Sequence, residues 1–89
     1  MKQLVVFSME GCPHCQEFKR ILSESNVEFV NRDIHEHSDE YQMFARVKND
    51  LVPAFMIVDE QDTTKSGLFA PDQDYRTLDE ALNIIKERI

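Results

Sequence analysis

This sequence predicts a small α/β domain in the order β-α-β-α-β-β-α, with a four-stranded mixed sheet and three helices. Three observations carry that prediction. Two apolar runs rich in β-branched residues, 3–7 (QLVVF) and 51–58 (LVPAFMIV), have the length and composition of strands. Three stretches beginning near Cys12, Ser38 and Thr77 space their apolar residues three and four apart, as helices do. The two kinds alternate along 89 residues without a repeat, a low-complexity segment or an internal linker, so residues 1–89 are read as one domain.

Each element has its own justification. Residues 3–7 are apolar on both faces, which suits a buried strand. Residues 8–11 form a loop, and a helix starts near Cys12. Pro13 fits its first turn because the missing N–H is not needed there. Phe18, Ile21, Leu22 and Ser25 share one face, and Ser25-Asn26 closes the helix. Residues 27–34 alternate in part and read as a second strand. Ser38 is the expected N-cap of the next helix, with Asp39 and Glu40 favourable in its first turn. Tyr41, Phe44, Ala45 and Lys48 lie on one side of it. Residues 51–58 are the third strand, interrupted by Pro53, which argues against an ordinary central strand. A polar turn at 59–62 leads to a short fourth strand at 63–69, weakened by Gly67. Thr77 and Glu80 form a capping box, followed by the apolar stripe Leu78, Ala81, Leu82, Ile85 and Ile89. The first two strands should pair in parallel across a right-handed crossover, and the last two should form a hairpin.

Charge and length exclude several function classes. Ten basic residues against seventeen acidic ones leave a formal charge of −7. The acidity concentrates in residues 31–60, and no basic patch marks a nucleic-acid partner. No apolar run approaches the ~20 residues of a membrane-spanning helix. The start, Met1-Lys2-Gln3, runs straight into a strand and has no secretory signal pattern. The expected setting is the reducing cytoplasm, and the expected state is a monomer.

Both cysteines fall in one tetrapeptide, Cys12-Pro13-His14-Cys15. So short a spacing cross-links nothing distant, which removes the disulfide-scaffold class. A CxxC between a strand and a helix points to thiol chemistry. The attacking species is a thiolate, and a helix start offers orphan N–H groups and a favourable dipole to hold it. Cys12 is best placed to use them, and a charged His14 would help. Cys15, one turn on and shielded, should keep its proton more firmly. Cys12 is then the nucleophile that forms a mixed disulfide, and Cys15 resolves it. The rival use of a CxxC is a metal or iron–sulfur module. Tetrahedral zinc wants four ligands, and His35 and His37 could only join from a polar connection without metal spacing. Pro53 reads either as the mark of an edge strand or as a cis-proline. A cis bond would turn the Val52 backbone toward the cysteines, where its N–H and C=O could pair with an extended substrate.

With Cys12-Pro13-His14-Cys15 after the first strand and Leu51-Val52-Pro53 at the third, the chain resembles the glutaredoxin branch of the thioredoxin superfamily over nearly its whole length. The resemblance implies a thioredoxin-like fold and a cis peptide before Pro53. It implies dithiol–disulfide exchange through Cys12 and Cys15, tuned by Pro13 and His14, with no bound prosthetic group. Leu51, Val52 and Pro53 would then bind substrate. Many glutaredoxins carry a tyrosine where His14 stands; Pro-His is the pair of strongly oxidising thioredoxin-like proteins of the bacterial periplasm. The family's glutathione pattern is incomplete: Leu51 replaces a threonine, no Gly-Gly occurs, and Glu10 stands where a cation is usual. Arg46 and Lys48 remain as carboxylate partners or as solvated helix charges. The stretch Ser66-Gly67-Leu68-Phe69-Ala70-Pro71-Asp72 is similar to that of redoxins that reduce class Ib ribonucleotide reductase and are recycled by thioredoxin reductase. The expected partners are therefore a protein disulfide, such as that of ribonucleotide reductase, with glutathione or thioredoxin reductase as the electron source. The competing expectation is a metal or cluster module built on the same two cysteines, with glutathione as a co-ligand in the cluster-carrying case.

Overall fold

The computed structural model describes residues 2–59, 61 and 67–88. Seven elements follow one another: β1 (Lys2–Ser8), α1 (Pro13–Glu24), β2 (Val30–Asp33), α2 (Ser38–Val47), β3 (Ala54–Asp59), β4 (Gly67–Phe69) and α3 (Leu78–Arg88). The four strands form one sheet in the order β2-β1-β3-β4. β1 pairs in parallel with β2, and β3 pairs antiparallel with both β1 and β4. This is the mixed sheet with three helices that the sequence predicts, a thioredoxin-like α/β fold.

The period-two alternation of the central strands divides the core between the two sheet faces. Leu4 and Val6 of β1 and Phe55 and Ile57 of β3 pack with Phe18 and Leu22 of α1 and Ala81 and Ile85 of α3. On the other face, Phe7, Ala54 and Ala70 pack with Tyr41 and Phe44 of α2. Because β1 is covered on both faces, Leu4, Val5, Val6, Phe7 and Ser8 are all buried. Each fully buried large side chain adds about 1.5–3 kcal/mol of transfer free energy. That gain far exceeds anything the exposed ion pairs of Arg20 with Glu17 and Glu24 can add.

Several boundaries differ from the sequence expectation, each for a local reason. The strand expected over 27–34 shrinks to Val30–Asp33, because the chain first closes the C-terminal end of α1. Asn26 adopts a left-handed φ of 58°. Its N–H donates to the Ser23 carbonyl at 3.1 Å, and the Val27 N–H donates to that of Leu22 at 2.9 Å. These two bonds satisfy carbonyls the helix would otherwise leave open. Ser38 is the first residue of α2 rather than its cap. His37 takes the cap position without a side-chain bond. The Asp33 carboxylate instead braces the turn before α2, accepting the N–H of His35 at 2.8 Å and of Glu36 at 3.4 Å. The His35 bond in particular holds the Asp33 carboxyl below the usual carboxylate range. Pro53 lies before β3 rather than inside it, so the strand starts at Ala54 and no ladder bond is lost.

Gly67–Phe69 is the described part of the fourth strand. Residues 63–66 of the expected strand, part of the 59–62 turn, and Ile89 lie outside the described residues. At α3, the Glu80 N–H donates to Thr77 Oγ1 at 3.2 Å. The return contact runs from the Thr77 hydroxyl to the Glu80 carboxylate at 3.5 Å, so half of the expected box is made in its usual form.

Candidate active site

β1 delivers the chain to the cysteines. After Ser8, the loop turns through Gly11 at φ 77°, a left-handed conformation that a side chain would strain although the space around it is open. The Cys12 N–H closes this loop onto the Met9 carbonyl at 3.3 Å. Cys12 is the N-cap of α1 in extended conformation, with Pro13 following at the helix start. The Cys12 sulfur accepts the backbone N–H of Cys15 at 3.2 Å. A cysteine thus does what serine or aspartate does at most helix starts.

The two thiols have different surroundings. Both are free, with Cys12 8% exposed and Cys15 fully buried. Burial, followed by the hydrogen bond with Cys12, pushes the Cys15 thiol up to about 12. The proton is therefore held firmly on Cys15, as its shielded position predicts. Pro13 and His14 are exposed beside the pair.

The second half of the site is the segment between α2 and β3. Register brings the halves together: Phe7, near the end of β1, pairs with Ala54 at the start of β3. The loop leading to Cys12 and the residues Leu51, Val52 and Pro53 therefore leave the sheet at the same end. The Val52–Pro53 peptide is cis, as the family resemblance implies. Tyr41 of α2 donates its hydroxyl to the Leu51 carbonyl at 3.5 Å. Buried Tyr75 donates its hydroxyl to the Pro53 carbonyl. Both phenols are pushed above their ordinary range, first by burial, and both feel the charge that Cys15 would carry. Among the described residues, neither the N–H nor the C=O of Val52 has a hydrogen-bond partner. Leu51 is 43% exposed.

Tyr41, Tyr75 and Asp74, which hold the 48–53 segment from outside it, are residues that sequence reasoning missed. Tyr41 was legible only as an apolar helix position. The available signal for Tyr75 was a lone aromatic in the polar run Pro71-Asp72-Gln73-Asp74-Tyr75. Lys48, one of the two candidate carboxylate partners, is engaged by Asp74 at 3.1 Å, whereas Arg46 is exposed on α2. His35 is exposed, and His37 lies against Arg32 and Glu40. Among the described residues, no group of three or more His, Cys, Asp or Glu side chains is placed to hold a metal ion. No described helix is long and apolar enough to cross a membrane.

A family model described as Glutaredoxin matches residues 4–61, well over half of the chain. The match runs from β1 through β3 and includes both the cysteine pair and Pro53. No curated protein matches the sequence.

Proposed function

Since this chain belongs to the glutaredoxin family of thiol–disulfide oxidoreductases, we propose that it reduces protein disulfides in the cytoplasm by dithiol exchange between Cys12 and Cys15. The observation that carries the reading is the asymmetry of the pair: one sulfur at a helix start with an amide aimed at it, the other buried and protonated.

The steps follow from that asymmetry. The helix dipole and the Cys15 amide favour negative charge on the Cys12 sulfur. Cys12 attacks one sulfur of the substrate disulfide. A Cys12–substrate bond forms, the substrate S–S bond breaks, and the departing thiolate takes a proton. The Cys15 thiol then gives up its proton and attacks the Cys12 sulfur. The Cys12–Cys15 disulfide forms and the second substrate thiol leaves. Two electrons have passed to the substrate. An external dithiol reductant, or two molecules of glutathione, returns them. Pro13 and His14 tune the first step. Leu51, Val52 and Pro53 form the substrate edge, where the Val52 N–H and C=O, unpartnered among the described residues, pair with an extended segment as an added strand.

We favour a protein substrate such as ribonucleotide reductase over a glutathione mixed disulfide. The Ser66–Asp72 resemblance supports that choice, and so does the incomplete glutathione pattern. Lys48, a candidate for a glutathione carboxylate, is already paired with Asp74. Mixed-disulfide trapping tests the mechanism. Cys15→Ser should accumulate a covalent adduct on Cys12 with a disulfide protein, while Cys12→Ser should accumulate none. Adducts forming equally on either variant would refute the assigned roles. Coupled assays identify the electron source, and turnover with glutathione and glutathione reductase alone would defeat the thioredoxin-reductase version.

A further inference from the structure

The substrate edge is held from one side by a turn that nothing above assigns to the reaction. Residues 70–75 connect β4 to the start of α3 and contact the 48–53 segment at four places. Asn49 Nδ2 donates to the Pro71 carbonyl at 2.9 Å, and Gln73 Nε2 donates to the Lys48 carbonyl at 3.1 Å. The Lys48 ammonium meets the Asp74 carboxylate, and the Tyr75 hydroxyl reaches the Pro53 carbonyl.

The turn is itself well determined. Asp74 Oδ2 accepts the Ala70 N–H at 2.8 Å, and the Asp72 N–H donates to the Tyr75 carbonyl at 2.8 Å. Asp72 adopts φ 66°, a left-handed conformation that aspartate tolerates. The Tyr75 ring stacks on Phe55 at 5.5 Å, which anchors the hydroxyl to the core of the sheet. The four contacts engage Lys48, Asn49 and Pro53, and Tyr41 engages Leu51. Val52, next to Pro53, keeps its backbone N–H and C=O without a hydrogen-bond partner among the described residues.

We propose that the 70–75 turn is a positioning element for the redox site, with Tyr75 fixing the Pro53 carbonyl and thereby the place where the Val52 backbone meets an extended peptide. Tyr75 touches no reacting atom; it acts through Pro53. The inference rests on the dithiol-exchange reading and deepens it. The site is preorganised for a disulfide flanked by peptide bonds, because such a substrate has backbone groups to pair with Val52. A disulfide that carries no peptide bond reaches Cys12 without using this edge.

The experiment compares two substrates in single-turnover oxidation of the pre-reduced protein, quenched by alkylation and read by mass spectrometry. One substrate is 2-hydroxyethyl disulfide, which has no peptide bond. The other is a pair of extended peptides joined by a disulfide. Losing one hydrogen bond that places the substrate edge should raise the half-saturating peptide concentration of Tyr75→Phe about tenfold, while the rate with hydroxyethyl disulfide stays within about twofold. Gln73→Ala removes an exposed contact of the same turn without disturbing the core, and should shift the peptide constant in the same direction by a smaller factor. It carries the test alone if Tyr75→Phe does not fold. Equal losses on both substrates, or an unchanged peptide constant in the folded variants, would overturn the proposal. Wild-type protein that hydroxyethyl disulfide fails to oxidise would instead defeat the dithiol reading, and the positioning role with it.

Discussion

The backbone N–H of Cys15 points at the sulfur of Cys12 over 3.2 Å, while the Cys15 thiol lies fully buried. One residue therefore offers its partner's sulfur a backbone donor and withholds its own side chain from solvent. Alkylation should reproduce that division. At neutral pH, iodoacetamide should label Cys15→Ser protein at Cys12 far faster than it labels Cys12→Ser protein at Cys15. Mass spectrometry of timed aliquots measures both rates, and comparable rates would contradict the asymmetry.

Stability should fall in alkali, and more so for the reduced form. Burial holds the Cys15 proton up to about 12 in the folded state, whereas an unfolded cysteine releases it near 8.5. Between those values the unfolded chain binds fewer protons, so unfolding becomes easier as pH rises. The contribution is fully present below about pH 8.5 and is lost through about pH 12, at no more than about 1.4 kcal/mol per pH unit. The buried Tyr75 phenol acts with the same sign at still higher pH. Oxidation removes the Cys15 proton altogether. Urea unfolding at pH 7 and pH 10 should therefore show a larger loss for reduced than for oxidised protein. A parallel loss in the two forms would rule the explanation out.

His14 should raise the reduction potential. It is exposed in the first turn of α1, two residues after Cys12, and an imidazolium near a thiolate stabilises the reduced state. His14→Tyr removes that cation and should lower the potential. Equilibration against reduced and oxidised glutathione reads the change, and an unaltered potential would refute the role.

Gly67 is required by packing rather than by backbone freedom. A Cβ at this position would meet Cε2 of Phe69 at 2.7 Å. The Phe69 ring cannot move aside easily, because it stacks on Phe55 at 4.9 Å and lies under the Arg88 guanidinium. Gly67→Ala should destabilise the protein by about 1–3 kcal/mol, the usual cost of overpacking. Thermal or urea denaturation measures it, and a neutral or stabilising result would show that the strand pair yields.

Much of the architecture is legible locally. Runs such as residues 3–7 and the stripe from Leu78 to Ile85 carry their period in the residues themselves, so element order and type could be read directly. Boundaries were less legible where one element's end competes with another's start. Val27 and Phe29 have strand-like side chains, yet Val27 spends its N–H on the Leu22 carbonyl of the preceding helix. Ser38 is a good cap by type, but Asp33 lies five residues upstream with its carboxylate already on the turn. Gly67 looked like a weak strand residue because its meaning depends on a ring two residues away.

The sequence by itself determined where the two cysteines stand and which of them is the more shielded. Cys12 precedes Pro13 at a helix start and Cys15 follows one turn on, so spacing and helix geometry are enough to tell the two thiols apart. Only the tertiary structure decided what stands opposite them. The contacts of Tyr75 with Pro53, Gln73 with Lys48 and Asn49 with Pro71 each span at least 22 residues of chain. They form because the antiparallel pairing of β3 with β4 returns the 70–75 turn to the segment that precedes β3. No periodicity or local propensity encodes such a meeting; it exists once the sheet has closed.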